Sequence, residues 1–399
     1  MLHRIISNSQ SKAITYSLFQ SCNKVPNKDW QAINKEDNLY LVLPYLAVIE
    51  DSLAATIDFW YVIFYQDQIP VGIAYTQLIK VNPKQISQQK LPCKVSDAIQ
   101  NFFLKNLEIK TLVCGNLFAC GAHGFSFDTT KINTQEATKA LTEALKDIRT
   151  VVHADDKPSF ILLKEFWQEK VQLLGNDFEE LHYKAFEVDV NMVLELQPHW
   201  NTFEDYLTDF RTKFRTRAKK TFEKSAAVSI KDFNSKNIRL YAEAIDKLYR
   251  SVIENADFKL GHLNARAFEG FKDQLGDQFI FKGYFLDDDL IGFTTAFVPQ
   301  DQVLEANHIG INYTYNKSHA LYQRMLYEYV STAIQLRTKE LRLGRTAETI
   351  KSTVGATPKR MKLYVKHGNT LSNQLLKPLV DFITPNDYEI RTPFKAQLS

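Results

Sequence analysis

Two short stretches, one in each half of the chain, share a pattern, and this repeat constrains the fold most. Residues 64–74 read FYQDQIPVGIA and residues 284–294 read YFLDDDLIGFT. Aligned without gaps, both begin with two aromatic residues, carry Asp at the fourth position and place an aliphatic residue before glycine. Each stretch predicts a strand, a tight acidic turn and a second strand entered through glycine. Many hairpins have this composition, so the segments that follow each copy decide whether the chain is duplicated.

The same series of elements follows each copy. After the first copy the patterns predict a strand with a turn, an amphipathic helix and a buried strand, at 111–121, 134–149 and 159–166. After the second copy they predict a strand, an amphipathic helix and a short strand, at 303–313, 319–337 and 340–344. A duplicated α/β domain explains this agreement most simply. The predicted fold class is therefore α/β (α+β), with mixed sheets flanked by helices.

The boundary between the two domains is predicted near residues 195–207, ELQPHWNTFEDYL, where Pro198 interrupts an apolar strand before a helix begins. We therefore predict an N-terminal domain at 1–197 and a C-terminal domain at 198–399. A chain of 399 residues is long enough for two domains of ordinary size.

Composition places the chain among ordinary soluble globular proteins. Hydrophobic residues make up 45% and charged residues 24%, and a net charge of +3 is too small to imply nucleic-acid or membrane binding by itself. The four cysteines are scattered and match no disulfide framework or zinc spacing, so no metal is predicted. No apolar window of about 18 residues predicts a transmembrane segment, and the N-terminus lacks a secretory-signal pattern. We expect a cytoplasmic location.

Several common catalytic motifs are missing from the sequence. It contains no HExxH, no GxxxxGK[ST], no GxGxxG after a strand and no GxSxG. These absences argue against a zincin, a P-loop NTPase, a Rossmann oxidoreductase and an α/β-hydrolase. An enzyme that works mainly by positioning two substrates is consistent with what remains.

One segment near the C-terminus, LGRTAETIKSTVGATP at 343–358, places polar residues where a strand is predicted to turn into a helix. A helix that begins near Thr346 would offer free backbone N–H groups at the end of a strand, where α/β folds often bind ligands. Arg345 beside them can bind a carboxylate or phosphate through two parallel hydrogen bonds. We therefore predict Arg345 and Thr346 as binding residues for an anionic group.

On such a helix the polar side chains converge. The predicted buried stripe consists of Ala347, Ile350 and Val354, and the neighbouring face carries Glu348, Lys351, Ser352 and Gly355. Lys351 and Ser352 join the predicted binding site, and Glu348 is a candidate catalytic group. A structural alternative stays open, in which Thr346 caps the helix, Glu348 complements its dipole and Glu348 forms a surface pair with Lys351.

A strongly basic helix is predicted at 209–224, DFRTKFRTRAKKTFEK. An apolar stripe runs along it, formed by Leu207, Phe210, Phe214 and Ala218. Lys213, Arg217 and Lys220 share one flank of this stripe and are the predicted anion contacts. The helix could line a channel for phosphates, rest on an anionic membrane surface, or only present a solvated face.

Hairpin, strand, long helix and strand form the core of the GNAT acyltransferase fold, and two such units in one chain resemble the Fem-type transferases. These are tandem GNAT-fold enzymes that build peptidoglycan cross-bridges. The second half looks closer still to predicted bacterial GNAT-family acyltransferases of unassigned substrate. The residues that carry this likeness are YLTDFRTKFRTRAKK (206–220), LGRTAETIKSTVGATP (343–358) and YVKHGN (364–369).

The resemblance implies transfer of an acyl or aminoacyl group to an amine, in cell-wall or lipid-linked metabolism. The acceptor would be a small-molecule or lipid-linked amine, with the active site in the C-terminal domain. Two alternatives stay open. One is a degenerate GNAT module that binds a ligand without catalysis, and the other is a protein that binds tRNA or a membrane surface through the basic helix.

The donor departs from the usual GNAT pattern. In that family a loop of the form Arg/Gln-x-x-Gly-x-Gly/Ala binds the acyl-CoA pyrophosphate, but here its place is taken by NYTYNKSHALYQ (312–323), which has no glycine. Acetyl-CoA is therefore doubtful as the donor, and the Fem-type resemblance permits an aminoacyl-tRNA instead. Acyl-CoA and aminoacyl-tRNA both remain as donor substrates, with no tightly bound cofactor. Asn316, Lys317 and Ser318 occupy the place of the donor phosphates.

The catalytic base is sought on the strand LEANHIG. Alternation along this strand predicts Glu305 and Asn307 on one face, with Ala306 and His308 on the other. GNAT enzymes often use a carboxylate on this strand to accept the proton of the amine, so Glu305 is the first candidate and His308 the second. Both residues could instead be structural, and the substrate or water could move the proton.

Overall fold

A computed structural model of the chain describes residues 2–8, 11–34, 38–81, 109–121, 123–187, 190–254, 263–299, 302–374, 376 and 388–395. These residues belong to two compact units, each with its own sheet and core. The first unit is built mainly from Met1–Val188 and Arg360–Pro385, and the second from Asp189–Ala256, His262–Lys359 and Asn386–Ser399. Strands and helices are numbered below along the whole chain.

The first unit contains a nine-stranded sheet. Its strands are β1 (Leu2–Asn8), β2 (Ser11–Phe19), β3 (Asp58–Gln66), β4 (Ile69–Val81), β5 (Ile109–Cys114), β6 (Phe125–Phe127), β7 (Phe160–Phe166), β8 (Lys184–Phe186) and β16 (Lys362–His367). They lie in the order β1-β2-β3-β4-β5-β7-β16-β8, with β6 paired to β4. The helices of this unit are α1 (Asn27–Asn34), α2 (Leu43–Leu53), α3 (Thr134–Val151), α4 (Gln168–Glu180) and α13 (Thr370–Gln374).

The second unit contains a seven-stranded sheet. Its strands are β9 (Val190–Glu195), β10 (Val228–Asp232), β11 (Phe279–Leu286), β12 (Asp289–Phe297), β13 (Val303–Ile311), β14 (Glu340–Arg342) and β15 (Thr357–Arg360). They lie in the order β10-β11-β12-β13-β14-β9-β15. The helices of this unit are α5 (Phe203–Thr208), α6 (Thr212–Lys224), α7 (Ser235–Leu240), α8 (Ala242–Glu254), α9 (Ala265–Leu275), α10 (Tyr313–His319), α11 (Leu321–Gln335) and α12 (Glu348–Ser352).

The repeated stretches form equivalent hairpins, as predicted. β3 and β4 make the first hairpin, and β11 and β12 make the second. Phe64 pairs with Gly72 and Tyr284 pairs with Gly292, and in both hairpins the register shifts at the next residue. Two hairpins that share this irregularity at matching positions confirm that the repeat reflects a duplicated fold, and both units continue with the predicted strand, helix and strand.

The two units exchange a strand. β9 follows β8 along the chain but pairs with β14 in the second sheet. Conversely, β16 follows β15 but pairs with β7 and β8 in the first sheet. The predicted division at 197 and 198 therefore differs from the observed one, because 190–195 belongs to the second sheet and 362–367 to the first.

Helices cover the sheet of the second unit on both faces. α11 packs on one face, where Val330 and Ala333 join a core with Leu304 and Leu341. α8 and α9 cover the other face, where aromatic side chains such as Phe268 are packed. Full burial of a side chain of this size contributes about 1.5–3 kcal/mol, so these layers hold the central strands in place.

Two predicted helices have different ends in the structure. The helix predicted at 319–337 is observed as α11, and α10 precedes it, with the break at Ala320, whose φ is +48°. The basic helix predicted at 209–224 is observed as α6, which begins only at Thr212, after a turn that follows the end of α5 at Thr208. None of the helices in the described residues has the length and hydropathy needed to cross a bilayer.

Candidate active site

Two parallel strands in the middle of the second sheet pair briefly and then part. β13 and β14 are paired at three positions, the last of which joins Glu305 to Arg342. β14 ends there, whereas β13 continues to Ile311. Residues 306–309 of β13 are half-buried, although the residues on either side of them are buried. We call the gap between 306–309 and 343–347 the strand opening, since a central strand becomes accessible where its neighbour leaves it.

A β-bulge lies in β13 beside the strand opening. Thr294 of β12 pairs with Ile309, but Ala296 pairs with Ala306. β13 therefore has one more residue than β12 between these two pairs. Bulges re-aim side chains and are common beside active sites, so this irregularity bears on which groups face the opening.

The bulge changes the face of the sheet on which His308 lies. The His308 ring packs against Phe268 of α9, with ring centroids 5.5 Å apart. Glu305 is paired with Phe297, whose ring packs against Phe271 of the same helix. The prediction that Glu305 and His308 lie on opposite faces is therefore wrong, because the extra residue reverses the alternation. The structure brings both candidate groups to the face covered by α8 and α9.

His308 is held at both its backbone and its ring. Its backbone N–H donates to the Thr295 hydroxyl at 2.9 Å, and the same hydroxyl donates to the His308 carbonyl at 3.1 Å. The ring atom Nδ1 lies 2.9 Å from the Tyr249 hydroxyl. Burial lowers the pKa of His308 to about 4, because desolvation disfavours the charged imidazolium. At neutral pH the ring is uncharged and only weakly basic.

Glu305 is buried in an ion pair. Its carboxylate accepts a hydrogen bond from Arg342 Nη1 at 2.8 Å, and Arg342 also donates to Glu340 at 3.0 Å. Burial acts to lower the pKa of Arg342, but the two carboxylates outweigh it and the pKa is raised. A carboxylate paired with a guanidinium is a poor proton acceptor, since protonation would break the pair. The surroundings of Glu305 therefore suit a structural group better than a base.

The segment after β14 differs from its prediction. The helix α12 is a single turn that begins at Glu348, and it has no side-chain cap. Thr346 and Ala347 have φ values of +63° and +55°, in the left-handed region that ends or interrupts a helix. Thr346 therefore lies before the helix and does not cap it, which contradicts the predicted start and the capping role that the structural alternative gave to Thr346. Of the predicted buried stripe, Val354 is buried, but Ile350 is 42% exposed.

Lys351 and Ser352 lie on the buried side of this segment. Lys351 is only 5% exposed, and its ammonium donates to the carbonyl of Arg345 at 2.6 Å and of Gly344 at 3.3 Å. The Ser352 hydroxyl donates to the carbonyl of Thr349 and accepts from a backbone N–H near the C-terminus. Both side chains thus hold the backbone around the opening, and their predicted contact with a ligand stays a prediction.

The remaining predicted residues of this segment lie at or near the opening. Arg345 directly follows Gly344, and both residues are half-buried. Thr346 is exposed, and Glu348 is half-buried. Burial raises the pKa of Tyr322, and Glu348 adds to this effect, which places its carboxylate near the first turn of α11. Arg345 is the predicted cation that lies closest in sequence to the opening.

The residues predicted to hold donor phosphates lie in a helix instead of a loop. Asn316, Lys317 and Ser318 belong to α10. The Asn316 side chain accepts a hydrogen bond from the backbone N–H of Tyr322 at 2.9 Å, so it occupies one of the free N–H groups at the start of α11. Lys317 and Ser318 are exposed.

α6 carries the predicted cations and lies beside α10. Lys213, Arg217 and Lys220 are exposed, whereas Phe214 and Ala218 are buried, which confirms the amphipathic pattern. Among the described residues these three cations form no ion pair with a carboxylate. The structure therefore brings the basic helix and the predicted donor-phosphate residues together on the second unit.

The first unit has a pair of parallel strands that corresponds to β13 and β14. β5 and β7 pair in parallel up to Cys114 and Leu163. β4 pairs with β5 and then with β6, and Gly72 faces Phe127 as Gly292 faces Ile311. β5 and β6 of the first unit therefore correspond together to β13 of the second unit. The segment that joins β5 to β6 lies at the place where β13 has its bulge.

This segment fills the place of the strand opening in the first unit. The buried ammonium of Lys164 donates to the carbonyl of Ala119 at 2.6 Å, and the buried carboxylate of Glu165 accepts from the N–H of Gly121 at 2.9 Å. Cys114, the counterpart of Ala306, is only 2% exposed. In its described residues the first unit has no comparable opening.

Sequence reasoning missed several residues that shape these sites. Adjacent charges inside the apolar run SFILLKEF were an available signal for Lys164 and Glu165. No sequence pattern pointed to Tyr249 and Thr295, because their contacts with His308 depend on the bulge. Among the described residues no group of three His, Cys, Asp or Glu side chains could hold a metal ion.

The chain matches no protein-family model and no curated protein sequence. Its structure is similar to that of FemX, with a TM-score of 0.54 and 11% identity over 90% of this chain and 100% of that chain. It is also similar to a tandem GNAT protein from the clavulanic acid biosynthesis pathway, with a TM-score of 0.51 and 9% identity over 89% of this chain and 99% of that one. L-PGS from Bacillus licheniformis gives a TM-score of 0.50 and 10% identity over 90% and 97%. The chain therefore has a tandem GNAT-like fold.

Proposed function

We propose that the second unit transfers an acyl or aminoacyl group to an amine acceptor. The observation that carries this proposal is the strand opening, where β13 and β14 part beside a bulge. His308 lies there as a half-buried residue, and its imidazole is uncharged at neutral pH. The GNAT-like fold supports the same class of reaction. The filled position in the first unit supports a single working site, in the second unit.

Acyl transfer to an amine makes specific demands on this opening. The amine nitrogen bonds to the acyl carbon, the bond from that carbon to the leaving group breaks, and the amine loses a proton. Negative charge grows on the acyl oxygen before the leaving group departs, so hydrogen-bond donors at that point lower the barrier. Arg345 would bind an anionic part of donor or acceptor. Holding both substrates together supplies much of the remaining rate enhancement.

The surroundings of α10 favour an aminoacyl-tRNA over an acyl-CoA as the donor. Asn316 already occupies an N–H group at the start of α11, where a glycine loop would otherwise receive a pyrophosphate. The unpaired cations of α6 lie beside it and suit a donor with many phosphates. The similarity to FemX and L-PGS supports an acceptor in cell-wall or lipid-linked metabolism, such as a lipid-linked or small-molecule amine. A cytoplasmic location fits such a donor.

The test is a transfer assay with the full chain, in which aminoacyl-tRNAs and acyl-CoAs are paired with amine-bearing cell-wall precursors and aminolipids. We expect product with an aminoacyl-tRNA and weak binding of acetyl-CoA by calorimetry. Arg345→Ala should lower turnover at least tenfold while the thermal unfolding midpoint is retained. Normal turnover of Arg345→Ala would exclude that residue from the site, and tight acetyl-CoA binding would reverse the choice of donor.

A second candidate function is binding of a polyanion without catalysis, and the cations of α6 favour it. The partner would be tRNA, with an anionic membrane surface as the competing outcome. If no donor and acceptor pair gives product, but tRNA binds with strong salt dependence, this second function is the better description. Binding to vesicles of phosphatidylglycerol but not to tRNA would identify the membrane instead.

A further inference from the structure

The buried hydroxyl of Tyr249, on α8, has one hydrogen-bond partner in the described structure, Nδ1 of His308. This single partner determines which of the two groups donates the hydrogen bond. Tyr249 is 8% exposed, and its hydroxyl lies 2.9 Å from Nδ1 of His308. Among the described residues no other group bonds to it. If the hydroxyl accepted from Nδ1–H, its own proton would be buried without an acceptor, which costs about 1–3 kcal/mol. If it donates, only a lone pair goes unused, so Tyr249 is the donor.

This direction determines the tautomer of His308. When Nδ1 accepts a hydrogen bond, the single proton of the neutral ring is on Nε2. Burial lowers the pKa of His308 to about 4, so the ring carries no second proton at pH 7. In the described part of the chain no protein group bonds to Nε2. His308 is a half-buried residue, and its ring carries an N–H donor at Nε2, while Nδ1 is occupied by the Tyr249 hydroxyl.

The ring is also fixed in position. Tyr249 and Phe268 each place a ring centroid 5.5 Å from that of His308. Thr295 bonds both backbone polar groups of His308 through the bulge. A donor that is already oriented needs no rearrangement when charge develops in front of it.

We propose that Tyr249 is a positioning residue that holds His308 as an N–H donor at the strand opening, where it polarises the acyl oxygen and does not remove the proton of the amine. A neutral imidazole is able to stabilise a carbonyl oxygen in this way. The proton of the amine then leaves with the departing group or through water. The inference rests on the proposed function of the second unit.

The tautomer is tested by NMR on the full chain with 15N-labelled histidine at pH 7. We expect a single Nε2–H tautomer for His308, which disappears from the spectrum of His308→Gln and is thereby assigned. Tyr249→Phe should convert it to a mixture of tautomers, because the phenol no longer selects one. Tyr284→Phe is the matched control, since it removes another buried hydroxyl of the same unit, bonded to Thr294, and should leave the tautomer unchanged.

Turnover separates a donor from a base. Glutamine keeps an N–H donor but cannot accept a proton at neutral pH, so His308→Gln should retain turnover within about tenfold of the native chain, whereas His308→Ala should lose about a hundredfold. Tyr249→Phe should lower kcat several-fold with little change in KM. Equal losses for His308→Gln and His308→Ala, or an Nδ1–H tautomer in the native chain, would overturn the inference. An Nε2–H tautomer without any acyl transfer would instead contradict the proposed function.

Discussion

Glu305 and His308 share one face of the second sheet, but their neighbours give them different chemistry. The carboxylate of Glu305 is bonded to Arg342, and the ring of His308 is bonded to Tyr249 in an aromatic environment. The first group is held charged and the second is held neutral. The residue type alone therefore does not show whether Glu305 or His308 could act as a base, because the groups bonded to each side chain decide this.

The ion pair of Glu305 gives the first prediction. Glu305→Gln leaves Arg342 without its buried counter-charge, so we expect the free energy of unfolding to fall by about 3 kcal/mol or more. Turnover under conditions where the variant is folded should fall less than tenfold. Urea unfolding and initial rates measure the two effects.

Glu340→Gln is the matched control for this variant. Glu340 bonds the same guanidinium but is more exposed, so its substitution should cost less than about 1 kcal/mol. A loss of turnover of a hundredfold or more in Glu305→Gln, with the fold intact, would show that Glu305 is the catalytic base after all.

Burial of His308 gives a prediction for pH. The pKa of His308 is about 4 in the folded chain and about 6.5 in an unfolded chain. Between these values the unfolded chain binds more protons, so the free energy of unfolding decreases as the pH falls from 6.5 to 4. The contribution of this residue is roughly 3 kcal/mol, fully present above pH 6.5. Unfolding of the native chain and of His308→Gln across this range should show a shallower slope in the variant, and identical slopes would contradict the shift.

At the scale of elements, the accuracy of the sequence predictions depended on the length of the helix. The long helix α11 buries Leu321, Met325, Tyr329 and Thr332, which recur at helical spacing, because several turns of periodic pattern select one face. The next residue in that series, Leu336, lies beyond the end of the helix and is exposed. α12 is a single turn after two left-handed residues, so helical spacing does not determine its buried face. Lys351 is consequently inside and Ile350 outside, the reverse of the pattern.

The bulge of β13 shows a second limit of the sequence predictions. Hydrophobic alternation predicted the strand correctly but could not show an inserted residue in the middle of it. The bulge is fixed by Thr295 from the neighbouring strand, and such a contact is invisible in a sequence taken alone. The sequence therefore suggested candidate residues on this strand, but it could not show on which face of the sheet they lie or which residues hold them.

The basic helix α6 gives a prediction at this scale. Replacing Lys213, Arg217 and Lys220 by glutamine should weaken binding of tRNA and reduce the slope of log K against log salt by about 2–3. Filter binding at several salt concentrations measures this slope. Three exposed cations on other helices of the same unit, Lys236, Lys247 and Arg266, provide the matched control. If the slope of log K against log salt falls equally in both triple variants, the attraction of tRNA depends on the net charge of the protein and not on α6.

For the whole molecule, the duplication was predictable and the strand exchange was not. Each half repeats the same series of elements, which is visible along the sequence. β9 (VNMVLE) is largely apolar and β16 (KLYVKH) is of mixed polarity, and neither pattern indicates which sheet the strand will join. The predicted division at 197 and 198 followed the order of the chain, whereas the pairing does not.

Because the two units exchange a strand, we predict that dividing the chain between residues 197 and 198 does not give two folded halves. A fragment of residues 1–197 lacks β16, which lies between β7 and β8, and a fragment of 198–399 lacks β9, which lies beside β14. We expect both fragments to be insoluble or to unfold without cooperativity. Circular dichroism during urea titration tests this for each fragment.

A rearranged fragment is the control for this experiment. Residues 1–188 joined through a glycine-serine linker to 360–385 contain all strands of the first sheet and should regain a cooperative transition. Cooperative unfolding of the plain 1–197 fragment would show that β16 is dispensable.

The position of β16 also has a consequence for synthesis on the ribosome. Translation reaches β8 early, but the strand that must lie between β7 and β8 is made about 180 residues later, on the order of ten seconds or more at usual elongation rates. Throughout that interval the nascent chain carries two unsatisfied strand edges. The sheet that is started first is thus completed last, and a nascent-chain chaperone or slow local translation after residue 186 would have its greatest effect there.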